Sequence, residues 1–160
     1  MVEKMTRWGV GPKFALLSII YGFFTVVLRL RWVTIFQMDF IPYWILATLG
    51  IILILIGLPF KFVALVTVHR AFNAGVLCTQ GVFGLCRHPV YAAWVVFLVP
   101  GMVFLINSWI GLTAPLVMYI FLRILVRKEE EYLEQKFGEE YIAYKKMTPA
   151  VLPLGRMIRK

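Results

Sequence analysis

Pro42-Tyr-Trp-Ile-Leu-Ala-Thr-Leu-Gly-Ile-Ile-Leu-Ile-Leu-Ile-Gly-Leu-Pro-Phe-Lys-Phe-Val-Ala-Leu-Val-Thr-Val68 contains Lys61 as its only charge. A helix needs about 17–25 predominantly apolar residues to cross a bilayer, and this stretch exceeds that comfortably. Three further apolar runs flank it: 14–36, 90–106 and 109–126. The first is short unless Arg29 and Arg31 carry their charged ends to the interface. The last two are separated only by Asn107 and Ser108, which reads as a tight helical hairpin. The expectation is an all-α polytopic membrane protein of about four transmembrane helices, folded as one domain over 1–160. A C-terminal amphipathic helix is expected in the tail 127–160.

Composition supports the membrane as solvent. The 160 residues are 61% hydrophobic and 16% charged, against about 45–50% and 25% in soluble domains. So small a soluble fold could not hide that much apolar surface. A soluble globule, a disordered tail and a disulfide-stapled secreted module are excluded. The net charge of +9 does not indicate nucleic acid, because the basic residues sit at the ends of apolar runs rather than on one solvated face. Anionic membrane lipids are the expected partner. Cys78 and Cys86 are too few for a disulfide framework, and with His69 and His88 they match no zinc spacing.

Phe14–Leu28 follows Lys4, Arg7 and Lys13, as a signal peptide would. The chain continues Arg29-Leu-Arg-Trp with no small-residue cleavage site, so a retained anchor is expected. With four spans, fifteen of the basic residues fall on the side holding both termini, against Arg29 and Arg31 opposite. Positive charge stays inside, so both termini are predicted cytoplasmic. On that side fall the connection His69–Pro89 and the tail from Arg127, whose stretch from Lys145 onward is basic and free of acids.

Two segments carry candidate chemistry. In Arg87-His88-Pro89-Val90-Tyr91, Pro89 suits the first position of a helix, where its missing N–H costs nothing. Free N–H groups and the helix dipole would favour an anionic group there, within reach of His88 and Tyr91. The plainer alternative is a helix start whose Arg and His reach water. Further on, Arg123, Arg127 and Glu130 fall at i, i+4 and i+7, and Leu133, Phe137, Tyr141 and Tyr144 extend that stripe. An amphipathic helix on the bilayer explains the apolar positions. It leaves Glu130 as a carboxylate on a buried face, costly unless paired. Gly138 is placed to interrupt the helix.

Together these segments resemble the isoprenylcysteine carboxyl methyltransferase / phospholipid methyltransferase family. Gly81-Val-Phe-Gly-Leu-Cys-Arg87-His88-Pro89-Val90-Tyr91 is similar to its G-x-(Y/F)-x-x-x-R-H-P-x-Y segment. The run Glu129-Glu130-x-x-Leu133-x-x-x-Phe137-Gly138-Glu139-Glu140-Tyr141-x-x-Tyr144 and the ending through Thr148-Pro149-x-x-Leu152-Pro153 match its C-terminal motif. The resemblance covers roughly residues 70–155 and implies an enzyme using S-adenosylmethionine (SAM) on a lipid-like methyl acceptor.

By the same resemblance the cofactor pocket faces the cytoplasm, with Gly81, Arg87, His88, Tyr91, Glu129, Glu130, Tyr141, Tyr144, Leu152 and Pro153 around it. His88 and Tyr91 would meet the cofactor's amino-acid end, Glu130 its ammonium or the reacting region, and Leu152 and Pro153 its adenine. Members often carry an arginine five residues before the second glutamate of the Glu pair. That position is Leu125 here, so Arg123 or Arg127 is the candidate on the substrate side.

A carboxylate acceptor, as on a prenylcysteine, needs only orientation, for which either arginine offers a fork. An amine headgroup would need a base such as Glu130, His88 or a tyrosine, and a thiol is intermediate. The other readings are an NADPH-dependent membrane sterol or enone reductase, whose family shares an RHP-like turn, and a non-enzymatic scaffold. The host membrane would be the plasma membrane in a prokaryote and the endoplasmic reticulum in a eukaryote.

Overall fold

A computed structural model describes residues 9–152. Among these residues the secondary structure is helical throughout: α1 (Gly11–Arg31), the single turn α2 (Val33–Phe36), α3 (Tyr43–Ala74), α4 (Pro89–Leu105), α5 (Thr113–Phe137) and α6 (Glu139–Met147). Short 3-10 turns at Gly81–Gly84 and Ile110–Leu112 precede α4 and α5. Three helices are long and apolar enough to cross a membrane: α1, α3 and α5 with its preceding turn. Their outward side chains are large and apolar, with Phe23, Leu55 and Leu116 each about two-thirds exposed. Backbone groups in lipid must be satisfied within the segment, which these helices do. The protein is an integral membrane protein.

Helix α4 is shorter and apolar; at about 1.5 Å per residue it reaches roughly 25 Å, slightly less than a hydrocarbon core. It lies antiparallel on the first half of α3. Tyr43 donates to the Leu105 carbonyl at 2.9 Å, Gly50 faces Gly101, Gly57 faces Phe97 and Leu98, and the Lys61 ammonium sits 4.2 Å over the Trp94 ring. Within α4, Ala93–Leu98 widens to a π-helix, with the Val99 N–H donating to the Trp94 carbonyl. Pro100 explains the widening, since it has no N–H for the i→i−4 ladder and its ring crowds the preceding turn.

Several boundaries differ from the sequence expectation for physical reasons. The first run does not continue as one helix to 36: α1 breaks at Trp32 (φ −130°, ψ 63°). The α2 turn then folds back, held by the Trp109 indole N–H on the Ile35 carbonyl at 2.7 Å and by Arg29 Nη1 on the Val33 carbonyl at 3.2 Å. Helix α3 runs six residues beyond Val68, because nothing before Gly75, at φ +69°, stops it. Helix α5, by contrast, continues through the charges after Arg127 to Phe137, in keeping with the stripe read from the sequence. There Gly138, at φ +54°, ends it as the sequence suggested.

The core joins α1, α4 and α5 through Phe14, Ala92, Val95, Met118, Leu122 and Val126, closed by Cys86 and Val151. One end of the bundle gathers residues 9–14, the 75–88 connection, the end of α5, and α6. The opposite end holds Arg29, α2 and the α4–α5 turn.

Candidate functional site at one end of the bundle

His88 stands at the N-cap of α4 with non-helical backbone (φ −122°, ψ 62°) and Pro89 takes the first helical position. The residue before a proline is pushed out of the helical region, so this turn is written into the Arg-His-Pro order. The N–H groups ahead of it are not free for an outside anion. Arg87 N–H donates to the Pro149 carbonyl at 2.9 Å and His88 N–H to the Ala150 carbonyl at 3.0 Å. The C-terminal segment is thereby laid against the turn, and the anion beside His88 is the chain's own Glu130.

Glu130 is almost buried and fully compensated. Its Oε1 accepts from Arg87 Nε at 3.0 Å and Nη2 at 2.6 Å and lies 3.3 Å from His88 Nε2. Its Oε2 lies 3.1 Å from Lys145 Nζ, which also donates to Glu134 Oε1 at 2.6 Å. The remaining Arg87 nitrogen, Nη1, donates to the Lys145 carbonyl at 3.0 Å and to the Thr148 carbonyl. One guanidinium thus ties the turn, α5 and the last carbonyls of α6 together. The Glu134 and Glu130 carboxylates hold the Lys145 ammonium above the ordinary lysine pKa. A buried pair of this kind contributes little net stability but is costly to break on one side.

Glu129 is in a different position. Its side chain is 22% exposed, and its one hydrogen bond among the described residues comes from the Tyr91 hydroxyl, donating to Oε2 at 3.2 Å. Oε1 stands 4.0 Å from His88 Nδ1, too far for a hydrogen bond. The Tyr91 ring is held edge-on by Phe14, centroids 5.3 Å apart.

On α6, Tyr144 donates to the Phe83 carbonyl at 2.6 Å. The Tyr141 hydroxyl is buried and has no hydrogen-bond partner among the described residues. Burial and the nearby Glu130 charge push its pKa up, so it stays protonated and keeps a donor to offer.

Of the residues singled out from sequence, Arg87, His88, Tyr91, Glu129, Glu130, Tyr141 and Tyr144 come together here. Gly81 is exposed, at φ +62° in the 3-10 turn that carries Phe83. Leu152 is half exposed at the edge, and Pro153 lies outside the described residues. Arg123 and Arg127 do not share the buried face with Glu130. That face is Met118, Leu122, Val126 and Glu130, at steps of four, whereas both arginines are exposed. Neither forms an ion pair among the described residues.

Sequence reasoning missed Lys145, read as part of a lipid-docking tail, and the Gly9–Gly11 approach to Glu129 and Tyr91. The Lys145 pairing with Glu134 crosses the Gly138 break, and no helical spacing connects residues across such a break.

The partly exposed Glu129 carboxylate and the Tyr141 hydroxyl, a donor without a partner among the described residues, suit a ligand group that carries both an ammonium and a carboxylate. The donor set therefore fits the methionine end of SAM.

The model of the isoprenylcysteine carboxyl methyltransferase family matches residues 49–135. This chain is 32% identical over 123 residues to protein-S-isoprenylcysteine O-methyltransferase of Rattus norvegicus, covering 71% of this chain and 43% of the relative. It is 34% identical over 125 residues to the Mus musculus protein of the same name, covering 72% and 44%. To protein-S-isoprenylcysteine O-methyltransferase B of Arabidopsis thaliana it is 28% identical over 120 residues, covering 69% and 61%. The chain therefore matches between 43% and 61% of the length of these relatives.

Proposed function

Since the chain belongs to the isoprenylcysteine carboxyl methyltransferase family, we propose that it transfers a methyl group from SAM to a carboxylate on a prenylcysteine-like acceptor. The transfer takes place at the cytoplasmic membrane face. The observation that supports this most is the convergence of the Arg87-His88-Pro89 turn, the Glu129–Glu130 pair and the tyrosines of α6 at one end of the bundle.

Glu129 would hold the cofactor's ammonium and the Tyr141 hydroxyl would donate to its carboxylate, with Leu152 at the adenine edge. When bound, SAM supplies a methyl on a sulfonium whose charge disappears on transfer, and a poorly solvating site favours that loss of charge. The chain contributes position. Arg87 fixes the turn to α5 and α6, so His88, Tyr91 and Glu129 keep one geometry, and ordered placement of reactants supplies much of a barrier reduction. Apolar residues of α1, α4 and α5 close the site from below and exclude water.

The state of Glu130 favours a carboxylate acceptor over an amine. An amine must lose a proton to a base, and Glu130 is held by Arg87, His88 and Lys145. Its role here is to anchor Arg87. A carboxylate acceptor needs no base. Arg123 and Arg127, on the exposed flank of α5, meet the acceptor or the lipid headgroups.

Detergent-purified protein given methyl-labelled SAM should form a base-labile ester on N-acetyl-S-farnesylcysteine. Base-stable label on phosphatidylethanolamine would move the assignment to the amine, and no transfer to any acceptor would defeat it.

A further inference from the structure

Residues 9–14 lie outside the segment matched by the family model, yet they form a wall of the site. Gly9 adopts φ +52°, and a Cβ on it would stand 2.9 Å from Glu129 Oε2 and 3.1 Å from its Cδ. A Cβ on Gly11 would stand 3.7 Å from the Tyr91 hydroxyl. Phe14, 4% exposed, packs edge-on against the same tyrosine ring. The start of α1 is thus laid directly on the Tyr91–Glu129 pair. At Gly9 the contact is so close that only a residue without a side chain leaves the carboxylate where it is.

We infer that Gly9 is a positioning residue: its bare backbone holds the Glu129 carboxylate on Tyr91 and leaves Oε1 open as the acceptor for a cationic ligand group. The inference rests on the methyl-donor reading above and deepens it, since the cation in question is the donor's ammonium. The reason is a contrast between neighbours. Glu130 has its charge met by the cations of Arg87 and Lys145, with His88 Nε2 3.3 Å from the same carboxylate. Among the described residues Glu129 has one hydrogen bond and a half-open environment, so its position depends on the surfaces pressed against it. A methyl at Gly9 meets the far end of a flexible side chain. The fold survives, and the carboxylate moves.

The test is a double-mutant cycle of Gly9→Ala and Glu129→Asp, read by calorimetric binding of S-adenosylhomocysteine and by thermal unfolding of ligand-free protein. Gly9→Ala should weaken binding about tenfold and leave the Michaelis constant for the acceptor unchanged. The shorter Asp side chain withdraws from the methyl, so Gly9→Ala in the Glu129→Asp background should cost little further affinity. Gly75→Ala is the matched control. It carries the same left-handed backbone strain, at φ +69°, with open space around it, and should lower the unfolding temperature without changing affinity. Wild-type affinity in Gly9→Ala, or an equal loss in both backgrounds, overturns the inference while leaving the methyl-donor reading intact. A folded wild type that binds no S-adenosylhomocysteine overturns both. Coupling of the two sites in the ligand-free unfolding temperature supports the contact independently of any ligand.

Discussion

Arg87 spends its donors on Glu130 and on two carbonyls of the C-terminal segment, a pattern only a planar fork can make. Removing the anion should be expensive. Glu130→Gln leaves Arg87 and Lys145 facing each other in a nearly buried site, at a cost of about 3–5 kcal/mol, read as a lower unfolding temperature in detergent. Arg127→Ala should be nearly silent for stability, within about 0.5 kcal/mol. It should raise the Michaelis constant for the acceptor and leave S-adenosylhomocysteine affinity unchanged. Cys86 lies beneath the turn, and burial pushes its thiol up to about 12. Since thiolate is the reactive form, maleimide at neutral pH should label Cys86 only after unfolding; rapid labelling of the native protein would show the turn to be open. At this scale the sequence was informative about identities. The demand that Glu130 be paired followed from its place among apolar neighbours. The partner Lys145 did not, because it reaches Glu130 from a helix beyond the Gly138 break.

Helices α3 and α4 touch through glycines. At Gly50 an added Cβ would lie 2.7 Å from the Gly101 carbonyl oxygen, a backbone atom that cannot step aside. Gly50→Ala should therefore push the helices apart and cost about 1–3 kcal/mol, whereas Gly22→Ala in α1, with nothing nearby, should be neutral or mildly stabilising. Equal unfolding temperatures for the two variants would contradict this packing. The apolar runs themselves were plain from composition, but which face of each meets its neighbour was not. A helix apolar all round has no polar side to orient it, so the pairing of Gly50 with Gly101 had no signal along the chain. The phase error at Arg123 and Arg127 has a related origin. Spacings of four and three placed Glu130 with the arginines, while the continuous packing row runs one residue earlier, through Leu122 and Val126. The end of α5 was legible at Gly138, and the charges after Val126 mark where the helix leaves lipid, not where it stops.

At the level of the whole molecule, the motif-bearing end and the opposite end differ in charge, and the distribution of lysine and arginine predicts that the motif-bearing end faces the cytoplasm. A cysteine placed at Glu140, exposed on α6, should be labelled by an impermeant reagent only from the cytoplasmic side. One placed at Asp39 should be labelled only from the other, and the reverse pattern would overturn the orientation. Membrane residence was legible from composition, and the helical class from the length of the apolar runs. The site was legible as two motifs, but their convergence depends on α4 and α5 returning to the same end. That topology comes from the hairpin at Asn107 and Ser108. On the proposed function, this end of the bundle binds a methyl donor. The most direct test is calorimetric titration of detergent-purified wild type with S-adenosylhomocysteine, beside His88→Ala and Glu129→Gln. Micromolar binding by the wild type and at least a tenfold loss in both variants are expected. Well-folded wild type that releases no heat of binding, or variants that bind as tightly as the wild type, would contradict the proposed function.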